Sequence, residues 1–205
     1  MVIQEMTRVI TKACSFELVR GRVGQAIDTL RINDGELLSI GVNERSISHR
    51  LALYLQQEFP CWNVDCEYNR KMGDKKKLHY IYQKFEQDTI KADDSVAKTV
   101  YPDIIVHRRQ REDNLLVIEI KKSNHNTAID EEKLKAFTGE EYRYCFGLLL
   151  VVDSKSEPLL TWYQNGERVE SERSSLHIDQ AALNKRLLNL RRRGQANGGL
   201  PRLQR

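Results

Sequence analysis

The chain has 205 residues, of which 40% are hydrophobic and 30% are charged, a composition typical of one globular domain with a buried core. No apolar run approaches the roughly 20 residues that a membrane-spanning helix needs, and the first residues lack the apolar stretch of a secretory signal. We therefore expect a soluble, cytoplasmic protein with no membrane partner.

Charge and cysteine usage narrow the choice of partners. The net charge is +4, and basic residues cluster at residues 70–77, 108–111 and 185–205. Such clusters can contact phosphates, but solvated surface explains each of them equally well. The cysteines form no CxxC pair and have no histidines at zinc-finger spacing, so we expect free and mostly buried thiols at Cys14, Cys61, Cys66 and Cys145.

The first part of the chain predicts a helical addition followed by a core. Residues 1–42 are mixed in character, with a short helix around residues 25–32 that we expect to end at the turn signal Asn33-Asp34-Gly35. Residues 43–59 have an apolar residue at every fourth position and predict an amphipathic helix. Residues 62–68 alternate and predict a half-buried strand. Residues 78–100 predict no clear element.

The second part of the chain predicts most of a sheet. Residues 103–108 and 115–121 are apolar strands with a connection short enough for an antiparallel hairpin. A helix over residues 130–137, ending near Gly139, leads to an apolar strand over residues 146–152 that we expect to be covered on both faces. A late hairpin around Asn165-Gly166 and a helix over residues 180–190 complete the chain. We divide the chain into an N-terminal helical addition (residues 1–42), an α/β core with a mixed sheet flanked by helices (residues 43–170), and a helix with a basic tail (residues 171–205).

The candidate chemistry lies at strand ends. Side chains two positions apart on a strand share a face, so Glu119 and Lys121 emerge together from the apolar strand LLVIEIK. In a tight hairpin, Asp103 falls opposite the Glu119 end. Two converging carboxylates can hold a hard cation such as Mg²⁺, and an ammonium group beside it can offset negative charge that develops at a phosphate. A surface ion pair on an edge strand is the alternative for an isolated ExK tripeptide.

Together these residues resemble the PD-(D/E)xK superfamily of restriction-endonuclease-like nucleases. Pro102-Asp103 matches the PD, Glu119-Ile120-Lys121 matches the ExK, and the predicted element order over residues 43–152 matches the αβββαβ core of that superfamily. The resemblance implies that Asp103 and Glu119 ligate the metal, that the backbone carbonyl of Ile120 is a further ligand, and that Lys121 is the catalytic lysine. Many members also place a glutamate near the start of the first core helix, a position that Glu44 matches.

Other residues are candidates with a solvent-exposed or structural alternative. Glu44 could instead be a first-turn acid favoured by the helix dipole. Nucleic-acid contacts are expected from Lys122 and Asn124, just past the motif, and from Arg108. Structural or solvent roles fit His49 and His107 better than a place in the site. Asp65 and Glu67 share a strand face that could look toward the site, but polar positions on a half-buried strand usually face solvent. A solvated helix face explains Lys133 as well as a place near the scissile phosphate does.

The implied function is Mg²⁺-dependent hydrolysis of phosphodiester bonds, with Mn²⁺ as an alternative ion, DNA as a better candidate than RNA, and 5′-phosphate and 3′-hydroxyl products. Members of the superfamily serve in restriction and phage defence, in DNA repair and recombination, and in junction resolution. The residues do not choose firmly among these roles, and we prefer defence mildly. Targeting by a homodimer or a protein partner stays open. Two rivals remain: a catalytically silent module of the same fold that binds nucleic acid or protein, and an interaction protein whose ExK is a coincidence.

Overall fold

The computed structural model describes residues 15–39, 42–68, 70–71, 74–75, 101–123, 126–153 and 156–173. The chain divides at Ser174 into two compact units, and every described residue belongs to the first, Met1–Ser174. The segment 78–100, the helix expected over residues 180–190 and the basic tail lie outside the described residues, as does Asn124.

The described helices are α1 (Phe16–Ser39), α2 (Glu44–Glu58) and α3 (Ala128–Thr138). The last two confirm the predicted helices. Asn43 caps α2, because its side chain accepts the amide proton of Ser46 at 2.8 Å. Gly139 ends α3, and its amide donates back to the carbonyls of the last turn.

The sheet is mixed and has six strands among the described residues, in the order β1-β4-β5-β6-β7-β8. All neighbours are antiparallel except β5 and β6, which are parallel across the α3 crossover. β2 and β3 form a separate pair. The strands are β1 (Asn63–Cys66), β2 (Arg70–Lys71), β3 (Asp74–Lys75), β4 (Ile104–His107), β5 (Asn114–Lys122), β6 (Phe146–Val152), β7 (Leu159–Gln164) and β8 (Glu167–Arg173).

Two hydrophobic clusters cover the two faces of the sheet. The first joins α1 and α2 to side chains such as Ile118 and Ile120 of β5. The second joins α3 to the opposite face, which Ile105 and Val117 present. The strand over residues 146–152 is therefore covered on both faces, as its unbroken apolar sequence predicts.

The prediction for α1 was wrong in length. The helix begins at Phe16 and continues through the Asn33-Asp34-Gly35 signal to Ser39, with a kink at Asp34 (φ −133°, ψ 21°). Val23, Ile27 and Leu30 are buried in the same cluster as α2. Burial of this apolar face outweighs the local preference for a turn, so the helix bends where the sequence predicts an end.

The expectation of buried thiols was also wrong for the described cysteines. Cys61, Cys66 and Cys145 are exposed and form no disulfide among the described residues. The late hairpin is confirmed: Asn165 (φ 50°) and Gly166 (φ 80°) both adopt the left-handed conformation that the two-residue connection between β7 and β8 requires. No described helix is both long and apolar enough to cross a lipid bilayer.

Candidate active site

The site lies at the carboxyl end of β5, on the face that packs against α3. Ile118 and Ile120 point into the opposite cluster, so Glu119 and Lys121 emerge together on the α3 side, as strand alternation requires. Glu119 is almost fully buried, at 1% exposure. Lys121 lies one pleat further out, and its side chain is 20% exposed.

The hairpin brings Asp103 to this point. β4 and β5 pair with Ile104 opposite Ile118, and the Oδ2 atom of Asp103 accepts the amide proton of Ile120 at 2.7 Å. Asp103 therefore lies beside the Glu119 end of β5, which confirms the expected placement. The bond ties the PD and ExK segments together through the backbone.

Glu44 reaches the same point from α2, on the other side of the sheet. It is the first residue of the helix that Asn43 caps. Its Oε1 atom accepts the amide proton of Lys122 at 3.1 Å, and its Oε2 atom lies 3.4 Å from Nζ of Lys121. The structure thus places all the residues proposed as catalytic, Glu44, Asp103, Glu119 and Lys121, at one end of the sheet.

Two further residues of the cluster come from α3. Asp130 is an acid in the first turn of that helix and is 3% exposed. Its carboxylate contacts both lysines of the site: Oδ1 lies 3.0 Å from Nζ of Lys133, and Oδ2 lies 3.4 Å from Nζ of Lys121. Lys133 also lies 3.4 Å from Oε2 of Glu119. Asp130 is not among the residues predicted from the sequence, and for Lys133 a solvated helix face was an equal alternative.

A sequence signal for both residues exists in the connection. A crossover between parallel strands carries the start of the following helix back over the sheet. Acids and bases in the first turns of α3 are therefore candidates for the end of β5, and Asp130 and Lys133 are one turn apart on the same helix face.

Burial governs the protonation of the carboxylates. It raises the pKa of Glu119 well above its ordinary value, although the nearby Lys133 ammonium opposes this, and the neighbouring Asp103 and Asp130 raise it further. The pKa of Asp103 is also raised by burial, against the hydrogen bond from the Ile120 amide. Both carboxyls are therefore harder to ionise in the folded protein than in water.

The two lysines stay charged. Burial by itself would lower the pKa of Lys121, but Asp130 and Glu44 reverse the effect and raise it. The pKa of Lys133 is likewise lowered by burial and raised, on balance, by Glu119 and Asp130. Both side chains are therefore ammonium groups at neutral pH.

Two features of these residues suit a divalent cation: their net negative charge when ionised, and one buried carboxylate oxygen that lacks a hydrogen-bond partner. The Oε1 atom of Glu119 is buried and has no hydrogen-bond partner among the described residues, an arrangement that costs free energy unless something binds it. When ionised, the four carboxylates exceed the two ammonium groups by two negative charges, and carboxylate oxygens are the ligands that Mg²⁺ prefers. Within the described ranges, no group of three or more His, Cys, Asp and Glu side chains is already arranged around an ion position.

The other residues predicted to bind nucleic acid do not contribute side chains to this cluster or lie outside the described residues. Lys122 is half-buried, and its backbone amide binds Glu44. Arg108 follows the far end of β4 from Asp103, about 16 Å away at the usual rise per residue, and its guanidinium stacks 5.0 Å above the Trp62 ring. Asn124 lies outside the described residues, and nothing in the structure tests its expected contact.

A second polar cluster joins β1 and β4. His107, expected to be structural or solvated, is buried, and its Nε2 atom lies 2.8 Å from Oδ2 of Asp65. Arg109 binds the same carboxylate. Although burial acts to raise the pKa of Asp65, these two partners lower it overall. Glu67 instead pairs with the exposed Arg45 at 2.7 Å.

Comparisons with known proteins add no assignment to this geometry. No protein-family model matches the chain, and a search of curated proteins gives no significant match. Function is therefore inferred from the residues of the site and the distances between them.

Proposed function

We propose that the protein is a divalent-metal-dependent nuclease that hydrolyses phosphodiester bonds, with DNA as its first candidate substrate and RNA as the second. The helix and strands from α2 to β6 would then be a restriction-endonuclease-like core, with β2 and β3 as an insertion. The six-stranded mixed sheet, with helices packed on both of its faces, is compatible with that core.

One observation carries the proposal. The buried Oε1 atom of Glu119 has no hydrogen-bond partner among the described residues and lies in a cluster whose four carboxylates, when ionised, outnumber its two ammonium groups. A purely structural acid would be expected to have both oxygens satisfied or to be replaced by an apolar residue, because an unpaired buried oxygen is costly. A bound cation would remove this cost, because the unpaired oxygen would then be one of its ligands.

The roles of the residues follow from their positions. Asp103 and Glu119 would hold Mg²⁺ or Mn²⁺, with the carbonyl of Ile120 and the carboxylate of Glu44 as further ligands. When bound, a divalent cation polarises a phosphoryl oxygen and lowers the pKa of a nearby water molecule. The ammonium group of Lys121, held by Glu44 and Asp130, would stabilise the negative charge that develops at the phosphate.

The test is cleavage of supercoiled plasmid and of labelled single-stranded DNA and RNA, with Mg²⁺, Mn²⁺ or EDTA. Asp103→Ala and Lys121→Ala should each abolish cutting. Glu112→Gln is a matched control, since Glu112 lies on the exposed turn between β4 and β5. A homodimer or a protein partner remains part of the proposal for targeting, and the product ends should be 5′-phosphate and 3′-hydroxyl.

Other outcomes favour the rival functions. DNA binding without cleavage under any metal would favour a silent module of the same fold. If the protein neither cuts nor binds nucleic acid, and divalent ions do not raise its melting temperature, the nuclease proposal is wrong.

A further inference from the structure

We propose that Lys133 is an internal cation that neutralises Glu119 while no divalent ion is bound, and that it must withdraw from Glu119 before a divalent ion can bind. The inference rests on the proposed function and adds a regulatory step to the same site. It makes Lys133 a positioning residue that sets the affinity for metal, in addition to the catalytic lysine at Lys121.

The position of Lys133 is unusual for a helix lysine. Its Nζ atom lies 3.4 Å from Oε2 of Glu119 and 3.0 Å from Oδ1 of Asp130, and its side chain is only 18% exposed. Lysine ammonium groups are strongly hydrated and usually reach solvent. Burial of this ammonium against two nearly inaccessible carboxylates therefore indicates that it neutralises their charge.

The ammonium and a divalent ion compete for one carboxylate. A Mg²⁺ ligand oxygen lies about 2.1 Å from the ion, so an ion at Oε1 of Glu119 would be within a few ångströms of the ammonium on Oε2. Repulsion between a double and a single positive charge at that distance is about twice that of two unit charges. We therefore expect the divalent ion to displace the ammonium group of Lys133 from Glu119.

Asp130 gives the lysine a place to go. Its carboxylate already accepts Lys133 at the shorter of the two distances, and its position in the first turn of α3 stabilises its negative charge. Lys133 can therefore rotate away from Glu119 and keep an ion-pair partner.

The main test is Mn²⁺ binding, measured by calorimetry at about pH 8 in the full-length protein. Lys133→Gln keeps an amide donor for both carboxylates but removes the charge, so we expect it to bind Mn²⁺ about tenfold more tightly than the wild-type protein. Lys135→Gln is the matched control. Lys135 lies on the same helix and pairs with Glu132, with a side chain that is 40% exposed, and its change should leave the affinity unaltered.

A second measurement does not depend on any variant. Mass spectrometry can follow reductive methylation of Lys133 in the wild-type protein with and without Mg²⁺. Withdrawal from Glu119 should expose the amine, so we expect Mg²⁺ to speed its modification severalfold while Lys135 changes little.

The results separate the two proposals. If the wild-type protein binds Mn²⁺ and Lys133→Gln binds it equally or more weakly, the proposal that Lys133 competes with the metal is wrong, but the proposed metal site stands. The same conclusion follows if the wild-type protein binds Mn²⁺ but Mg²⁺ leaves the methylation of Lys133 unchanged. If neither the wild-type protein nor Lys133→Gln binds Mn²⁺, both proposals fall.

Discussion

The Oδ2 atom of Asp103 accepts the backbone amide proton of Ile120 at 2.7 Å. Ile120 lies between Glu119 and Lys121, so this bond fixes the start of β4 against the middle of the ExK segment. It uses one oxygen of the carboxylate and leaves the other for a ligand. The two halves of the proposed metal site are thereby held together before any ion binds.

Asp103→Asn should separate stability from metal binding. The asparagine oxygen can still accept the Ile120 amide, and the change removes a buried charge whose pKa is raised by burial. We expect the variant in EDTA at about pH 8 to be as stable as the wild-type protein or more stable, but to lose the rise in melting temperature that Mg²⁺ gives. Thermal melts with and without Mg²⁺ measure both effects. A variant that is strongly destabilised in EDTA would contradict this role of the side chain.

Stability without metal should fall as the pH rises. Burial raises the pKa of Glu119 and of Asp103 in the folded protein, so the folded state holds protons that the unfolded state has already released. Between the unfolded values, about 4 to 4.5, and the higher folded values, each unit of pH therefore lowers the free energy of unfolding. Urea unfolding in EDTA across this window should show the decline, and Glu119→Gln should flatten it. An unchanged slope in Glu119→Gln would show that this carboxyl is not the group that titrates.

The cap of α2 should contribute to both fold and site. The side chain of Asn43 accepts the Ser46 amide at 2.8 Å, so Asn43→Ala should cost about 1 kcal/mol in the free energy of unfolding. Because Glu44 follows directly, loss of the cap should also weaken Mg²⁺ binding. Gln57→Ala, at an exposed position of the same helix, should change stability by less than about 0.5 kcal/mol. If the two changes lower the free energy of urea unfolding equally, the Asn43 cap does not stabilise α2 as described.

Two glycines should respond to alanine with opposite signs. A Cβ at Gly147 on β6 would lie 3.0 Å from Cγ2 of Thr138 and 3.2 Å from Cβ of Tyr163, whereas a Cβ at Gly21 in α1 would meet nothing within 4 Å. We expect Gly147→Ala to lose about 1–3 kcal/mol through overpacking and Gly21→Ala to gain about 0.5–1 kcal/mol through helix propensity. Denaturant midpoints measure both. A neutral Gly147→Ala would mean that α3 can move away from the sheet at no cost.

The sequence predicted the parts of the fold that depend on strong local patterns. In α2 an apolar residue at every fourth position reflects burial of one helix face. In β5 and β6 the unbroken apolar runs reflect burial of both strand faces. Strand alternation and the short hairpin then placed Glu119, Lys121 and Asp103 together correctly, since both depend on backbone geometry alone.

The features that the sequence did not predict depend on tertiary packing, about which a local sequence pattern carries no information. The full length of α1 follows from burial of its apolar face against α2, which overrides the turn signal at Asn33. The contacts of Asp130 and Lys133 depend on where the crossover places α3 over β5. The stacking of Arg108 on Trp62 at the far end of β4 also depends on the fold, and its expected nucleic-acid contact stays a prediction.

We propose that the carboxylate of Glu119 works in metal-dependent phosphodiester cleavage. The most direct measurement is the Mg²⁺-dependent rate of cutting of plasmid and labelled oligonucleotides by Glu119→Gln, compared with Glu112→Gln on the exposed turn between β4 and β5. We expect Glu119→Gln to lose at least about 100-fold in rate while remaining folded, and Glu112→Gln to cut like the wild-type protein. Equal cutting by the two variants, or wild-type cutting that persists in EDTA, would contradict the claim.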